Sequence, residues 1–213
     1  MDPLVWLASV GARAPEVKLA TGVFLLALHD PIPVAKAAAT LDLLTRERTI
    51  LGVGVGWLKE EYEALAKGFS DRGKRTNESI AAIRRLWSQS PSAFSSQTVS
   101  FPPLYCEPRP KRAIPIVIAG GSKPAARRAG ALGDGFYPHP TVDPRPLLAV
   151  MRSSARAVGR DPDEIELTMA GAPSADNARQ ARTLGAQRFL IDVYGTEPGT
   201  VGRFIEDSIN ALG

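Results

Sequence analysis

Short, nearly unbroken apolar runs alternate along the chain with longer stretches in which apolar residues recur every three or four positions. The runs at 19–28, 49–56, 114–119, 135–137, 164–170 and 188–192 predict six strands. The first two, at 19–28 and 49–56, are almost continuously hydrophobic, which marks strands buried on both faces. Helices are predicted between them. Asp2-Pro3 opens the first, a capping carboxylate followed by proline at the first helical position, with Leu4, Leu7 and Val10 on one stripe. Pro31 and Pro33 break the chain ahead of a helix carrying Val34, Ala37, Ala38, Leu41 and Leu44. A short helix spans 60–66. Asp71 caps a longer one in which Ile80, Ile83, Leu86 and Trp87 share a face. Further helices are predicted at 122–132, from Asp143-Pro144 to 158, at 174–184 with Gly185 as its stop, and at 197–212. Strand–helix alternation of this kind builds a parallel sheet wrapped by helices.

Residues 88–113 break the rhythm. Ser, Pro and Gln dominate, and the segment reads as a surface insertion with a hairpin around Val99-Ser100-Phe101. No internal repeat or interior boundary appears, so 1–213 reads as one domain. An eight-stranded βα barrel needs about 250 residues. Six strands therefore leave three readings: an open sheet, an unusual ring, or part of a larger ancestor. Met1 falls directly before a helix cap, so the chain is expected to begin inside what looks like a βα unit.

Charge and cysteine usage narrow the classes of function. Lys and Arg (26) exceed Asp and Glu (22) by four, but they come as scattered pairs such as Lys74-Arg75 and Arg127-Arg128. That pattern suits solvated helix faces with a mild pull on a polyanionic small molecule, not the basic stripe of a nucleic-acid binder. One cysteine, Cys106, makes no internal disulfide and excludes a multi-thiolate zinc site. No apolar run approaches a membrane span, and the N-terminus, Met1-Asp2-Pro3-Leu4, lacks the basic stretch and apolar core expected of a signal peptide. The expected address is the cytoplasm, with no membrane and no nucleic-acid partner.

Three glycine-bearing strand segments are candidates for chemistry. Gly52-x-Gly54-x-Gly56 ahead of Trp57 has the wrong spacing for a dinucleotide fingerprint. Its glycines either relieve crowding in the sheet or let a ligand approach the strand end. Ala119-Gly120-Gly121-Ser122 turns a buried strand into a capped helix. It is either an ordinary tight turn or a phosphate site built from helix amides and dipole. Gly22, inside a bulky strand, marks a bulge or a close contact, or simply packs. His29 and His139 both follow strand ends, where either a proton donor or an idle loop histidine would sit. Cys106 has no obvious base beside it, and no catalytic acid or base is assigned.

An ordered series of segments resembles the bacterial luciferase-like flavin and deazaflavin oxidoreductases. It runs from Thr21-Gly-Val through 33–42, Ile50-Leu-Gly-Val-Gly-Val-Gly-Trp-Leu-Lys-Glu-Glu-Tyr62, Asp71-Arg-Gly-Lys-Arg75, Phe101-Pro-Pro and Glu107-Pro-Arg-Pro110 to Ile116-Val-Ile-Ala-Gly-Gly-Ser122 and Leu132-Gly-Asp-Gly135. The resemblance implies an α/β fold of the (β/α)8 TIM-barrel type lacking its first two strands, with Met1 matching the start of the family's second helix. It implies a cofactor at the barrel's C-terminal mouth: Gly120, Gly121 and Ser122 on its phosphate, Val55, Gly56 and Trp57 lining the other side, and Glu60 close by. Gly22-Val23 matches a place where the family often has a non-proline cis peptide beneath the cofactor ring. The insertion would cover the substrate side. The implied activity is coenzyme F420-dependent hydride transfer to or from a small organic substrate, without a metal, in a homodimer. The alternatives are an FMN-dependent monooxygenase, or a non-catalytic cofactor-binding or assembly subunit.

Overall fold

The computed structural model describes residues 1–193 and 198–212, which divide into two compact units, Met1–Ala119 and Gly120–Gly213.

The first unit opens with helix α1 (Pro3–Arg13). Asp2 caps it as expected, its Oδ1 accepting from the amides of Leu4 at 2.9 Å and Val5 at 3.0 Å. The apolar run at 19–28 then departs from the prediction of one strand. It forms β1 (Leu19–Ala20), β2 (Phe24–Leu25) and a 3-10 turn at Leu26–Leu28, with a cis peptide between Gly22 and Val23. Helix α2 (Pro31–Leu44) follows. Its prolines sit in the first turn and break nothing, because the amides they lack have no intrahelical acceptor there.

Strand β3 (Thr49–Gly54) is buried throughout and pairs in parallel with both β1 and β2, Leu19 opposite Thr49 and Phe24 opposite Val53. The split of 19–28 has its cause here. A Cβ on Gly52 would lie 2.0 Å from the Thr21 carbonyl oxygen, and one on Gly54 would lie 2.8 Å from Val23 Cγ2. The chain at 21–23 thus lies against the strand at close range, and the Thr21 hydroxyl donates to the Gly52 carbonyl at 2.7 Å. Gly52 and Gly54 are packing glycines.

A short α3 (Lys59–Ala64) leads to α4 (Arg72–Ser88), whose Ile80, Ile83, Leu86 and Trp87 are buried together as the spacing predicts. Trp87 Nε1 donates to the Ala35 carbonyl at 3.0 Å and ties α4 to α2. Asp71 does not cap α4. Its carboxylate pairs with Arg75 one turn on, at 2.8 Å. Within 88–113 the expected hairpin is antiparallel β4 (Ser92–Ser95) with β5 (Ser100–Leu104). Glu78 on α4 holds its loop, accepting from the Thr98 amide at 2.7 Å and the Ser96 hydroxyl at 2.9 Å. Strand β6 (Ile116–Ala119) pairs in parallel with β3 and closes the unit.

The second unit repeats the same logic. Helix α5 (Lys123–Leu132), β7 (Gly135–Tyr137), α6 (Pro144–Ala157), β8 (Glu166–Ala170), α7 (Ala175–Thr183), β9 (Ala186–Leu190) and α8 (Pro198–Leu212) follow in order. Strand β8 pairs in parallel with both β7 and β9. Asp143 and Ser174 cap α6 and α7 through their side chains, and Gly185 stops α7 at φ +85°. The predicted start of the last helix at Glu197 lies outside the described residues. The class is mixed α/β, and every predicted strand region carries a parallel strand.

Candidate functional site

In the second unit the candidate is the turn that heads α5. Gly120 has φ +146°, a conformation L side chains rarely adopt, and a Cβ there would meet the Ala125 methyl at 2.8 Å. Its amide donates to the Tyr137 carbonyl at 3.0 Å, which pins the turn to β7. Ser122 Oγ accepts from the Ala125 amide at 3.4 Å and caps the helix. That bond uses an acceptor lone pair and leaves the hydroxyl proton for another partner. Gly121, Ser122 and Lys123 are exposed. The first amides of a helix have no intrahelical acceptors, and the helix dipole adds positive potential at this end. A Cβ on Gly121 would lie 3.2 Å from His139 Cβ and 3.3 Å from Val142 Cγ1, so a side chain in that direction requires those neighbours to give by a few tenths of an ångström. The result is an open cradle with the donors and charge an anion requires.

His139 sits beside this cradle. Its Nδ1 accepts from the Thr141 amide at 3.4 Å and bonds the Thr141 hydroxyl at 2.8 Å. An amide can only donate, so the neutral ring carries its proton on Nε2. Burial pushes the Tyr137 phenol above its ordinary pKa, with Asp192 adding to the shift, so that ring stays neutral.

In the first unit the candidates cluster where β3 ends. Gly22 is exposed and Val23 half-buried, and Val23 lies against Gly54. Val55 is half-buried, Gly56 takes φ +74°, and Trp57 is 82% exposed. Glu60 is exposed in the first turn of α3. Sequence reading assigned no role to Tyr62, which is fully buried and donates its hydroxyl to the Val55 carbonyl. Its signals are its place at the end of the Ile50–Tyr62 segment that carries the resemblance and its being the aromatic among the charged residues of the helix KEEYEA. His29 is exposed; its Nδ1 bonds the Leu25 carbonyl at 3.0 Å and so bears the proton, while the ring tilts against Phe24 at 4.3 Å. His29 borders an apolar groove of about 400 Å³ lined by Leu4, Val5, Phe24, Val34 and Leu41, to which no candidate cofactor residue contributes.

Cys106 is buried, and burial pushes its thiol up, which disfavours the thiolate that a nucleophile needs. Among the described residues no group of three His, Cys, Asp or Glu could hold a metal ion, and no helix is long and apolar enough to cross a membrane.

Comparison with known proteins gives a consistent picture. The family model described as luciferase-like monooxygenase matches residues 1–207. An uncharacterised protein of Mycobacterium tuberculosis is 30% identical over 213 residues, covering 97% of this chain and 74% of that protein. An F420-dependent glucose-6-phosphate dehydrogenase of Mycolicibacterium gilvum is 31% identical over 172 residues, covering 76% of this chain. The chain spans only 51% of that enzyme's length. The crystal structure of monooxygenase RslO1 from Streptomyces bottropensis superposes with a TM-score of 0.71 at 25% identity, over 98% of this chain and 63% of that one.

Proposed function

The chain belongs to the luciferase-like monooxygenase family, and on that premise we propose that it binds coenzyme F420 and serves hydride transfer to or from a small organic substrate. The observation that carries the reading is the open Gly120-Gly121-Ser122 turn at the head of α5, an anion cradle of the kind a cofactor phosphate needs. The similarity to F420-dependent glucose-6-phosphate dehydrogenases favours the deazaflavin over a flavin.

When bound, the deazaflavin supplies the carbon that accepts or delivers the hydride. The chain's own residues bind and orient. The Gly121 and Ser122 amides and the Ser122 hydroxyl donate to the phosphate, while the exposed Lys123 adds positive charge nearby. The bond from the Gly120 amide to Tyr137 holds those donors in place before a ligand arrives. In the first unit, Gly22, Val23, Val55, Gly56, Trp57 and Glu60 are proposed as cofactor-lining residues on the strength of the resemblance. Trp57 offers a broad exposed ring that excludes water from whatever it covers.

FMN is the second reading, because it presents the same phosphate and because RslO1, at 25% identity, is a monooxygenase. A cytoplasmic address is favoured by the single cysteine, and a homodimer is carried by the resemblance alone. The test is titration of the purified protein with F420 and FMN separately, followed by absorbance. Saturable binding of F420 in preference to FMN supports the first reading, and the reverse preference supports the second. Binding without turnover of any substrate would make the chain a cofactor-binding subunit, and binding of neither would refute both.

A further inference from the structure

Val55 is the first residue beyond β3, one past the last parallel pair between Leu25 and Gly54, so the ladder provides no partner for its carbonyl. Tyr62 provides one, donating its hydroxyl from the middle of α3. The ring is completely buried, and its Cε2 and hydroxyl lie 3.5 and 3.6 Å from where a Cβ on Gly56 would sit. Behind it, Phe69 meets the Tyr62 ring edge-on at 5.4 Å, and the Arg72 guanidinium stacks over Phe69 at 3.8 Å. Ala27 and Leu28, beyond β2, complete the same buried cluster. A phenylalanine would fill this space equally well. The hydroxyl is therefore there for the carbonyl it meets, since a buried phenol without a partner is unfavourable.

From this geometry we infer that Tyr62 is a positioning residue: its hydroxyl and ring fix the Val55-Gly56-Trp57 strand end in the conformation that receives the cofactor. This rests on the proposed function. Trp57 is exposed and Gly56 has left-handed backbone, so nothing in their own side chains holds them. Their order is supplied by one buried donor on the neighbouring helix, whose pKa burial pushes up and which therefore keeps its proton.

The test is Tyr62→Phe, with Thr183→Val, which removes an exposed hydroxyl that donates to the Arg179 carbonyl on α7, as the control. Backbone order parameters at Gly56 and Trp57 should fall from the rigid range near 0.85 towards about 0.6, while those at Gly121 and Ser122 stay unchanged. The dissociation constant for F420 should rise about fivefold, as expected for one lost hydrogen bond, while the control changes neither quantity. A purely structural tyrosine would instead lower the melting temperature and leave affinity and local order at 56–57 intact, which would overturn the inference. Loosened order with unchanged F420 affinity would also overturn it, leaving the cofactor reading standing. Failure of the unaltered protein to bind F420 would defeat both.

Discussion

Replacing Gly121 with leucine probes the cradle at its narrowest point. Gly121 does not have positive φ, so an L residue is compatible with its backbone and the substitution acts through space alone. The new Cβ would lie 3.2 Å from His139 Cβ and 3.3 Å from Val142 Cγ1, which requires those neighbours to yield by a few tenths of an ångström. Alanine stops there, and the exposed His139 loop can yield. Leucine adds three more carbons, which either push the 139–142 loop aside or fold over the donors at 121–122. A hydrogen bond to a charged group contributes about 1.5–3 kcal/mol, so losing one such donor weakens phosphate binding by roughly 10- to 100-fold. The assay is F420 titration by absorbance on Gly121→Leu, with Gly121→Ala as the graded control. Alanine should fall between the unaltered protein and leucine. Melting should change little, because residue 121 is exposed and no core contact is lost. A folded Gly121→Leu protein that binds F420 as tightly as the parent would refute the assignment of the turn as a phosphate seat.

Two further outcomes follow from the packing. Gly52→Ala sets a methyl 2.0 Å from the Thr21 carbonyl, a backbone atom that cannot rotate away. The expected loss is about 3 kcal/mol, a fall in melting temperature of roughly 6–12 °C, measurable by calorimetry. Asp42 is buried and its pKa is raised, chiefly by burial, against the opposing pull of the Thr49 amide that it accepts at 3.2 Å. The folded state therefore binds this proton more tightly than the unfolded chain does. Its contribution to stability is most favourable below the ordinary carboxylate value and declines as pH rises through the folded pKa. Asp42→Asn should thus gain stability relative to the parent at pH 7, with the gain vanishing below about pH 4 in paired denaturation curves. A gain that grows towards acid pH would contradict the sign.

The features legible in the sequence are those decided locally. Asp2, Ser122 and Asp143 each cap a helix with the side chain that the pattern singled out. The turn at 120–122 was readable because a glycine pair at a strand end followed by a capping serine restricts the chain to few conformations. Asp71 stands at the N-cap position of α4 without a side-chain cap: its backbone (φ −95°, ψ 3°) is not the extended conformation of Asp2, Ser122 and Asp143, and its Oδ2 pairs with Arg75 one turn on. The break in 19–28 was signalled at Gly22, which reads as a bulge or a close contact, but its extent was not, because it depends on the approach of Thr21 to Gly52, thirty-one residues away. Tyr62 was hidden for a related reason: its partner is a backbone carbonyl, which every residue possesses. The cofactor's ring chemistry is not written in the cradle either, since a phosphate looks the same on a flavin and a deazaflavin.

The most direct measurement is an amide ¹⁵N–¹H titration of the isotopically labelled protein with coenzyme F420. The account predicts that the Gly121 and Ser122 amides shift together and saturate in step with the cofactor's absorbance change. Saturable F420 binding that leaves those two resonances unmoved would contradict it.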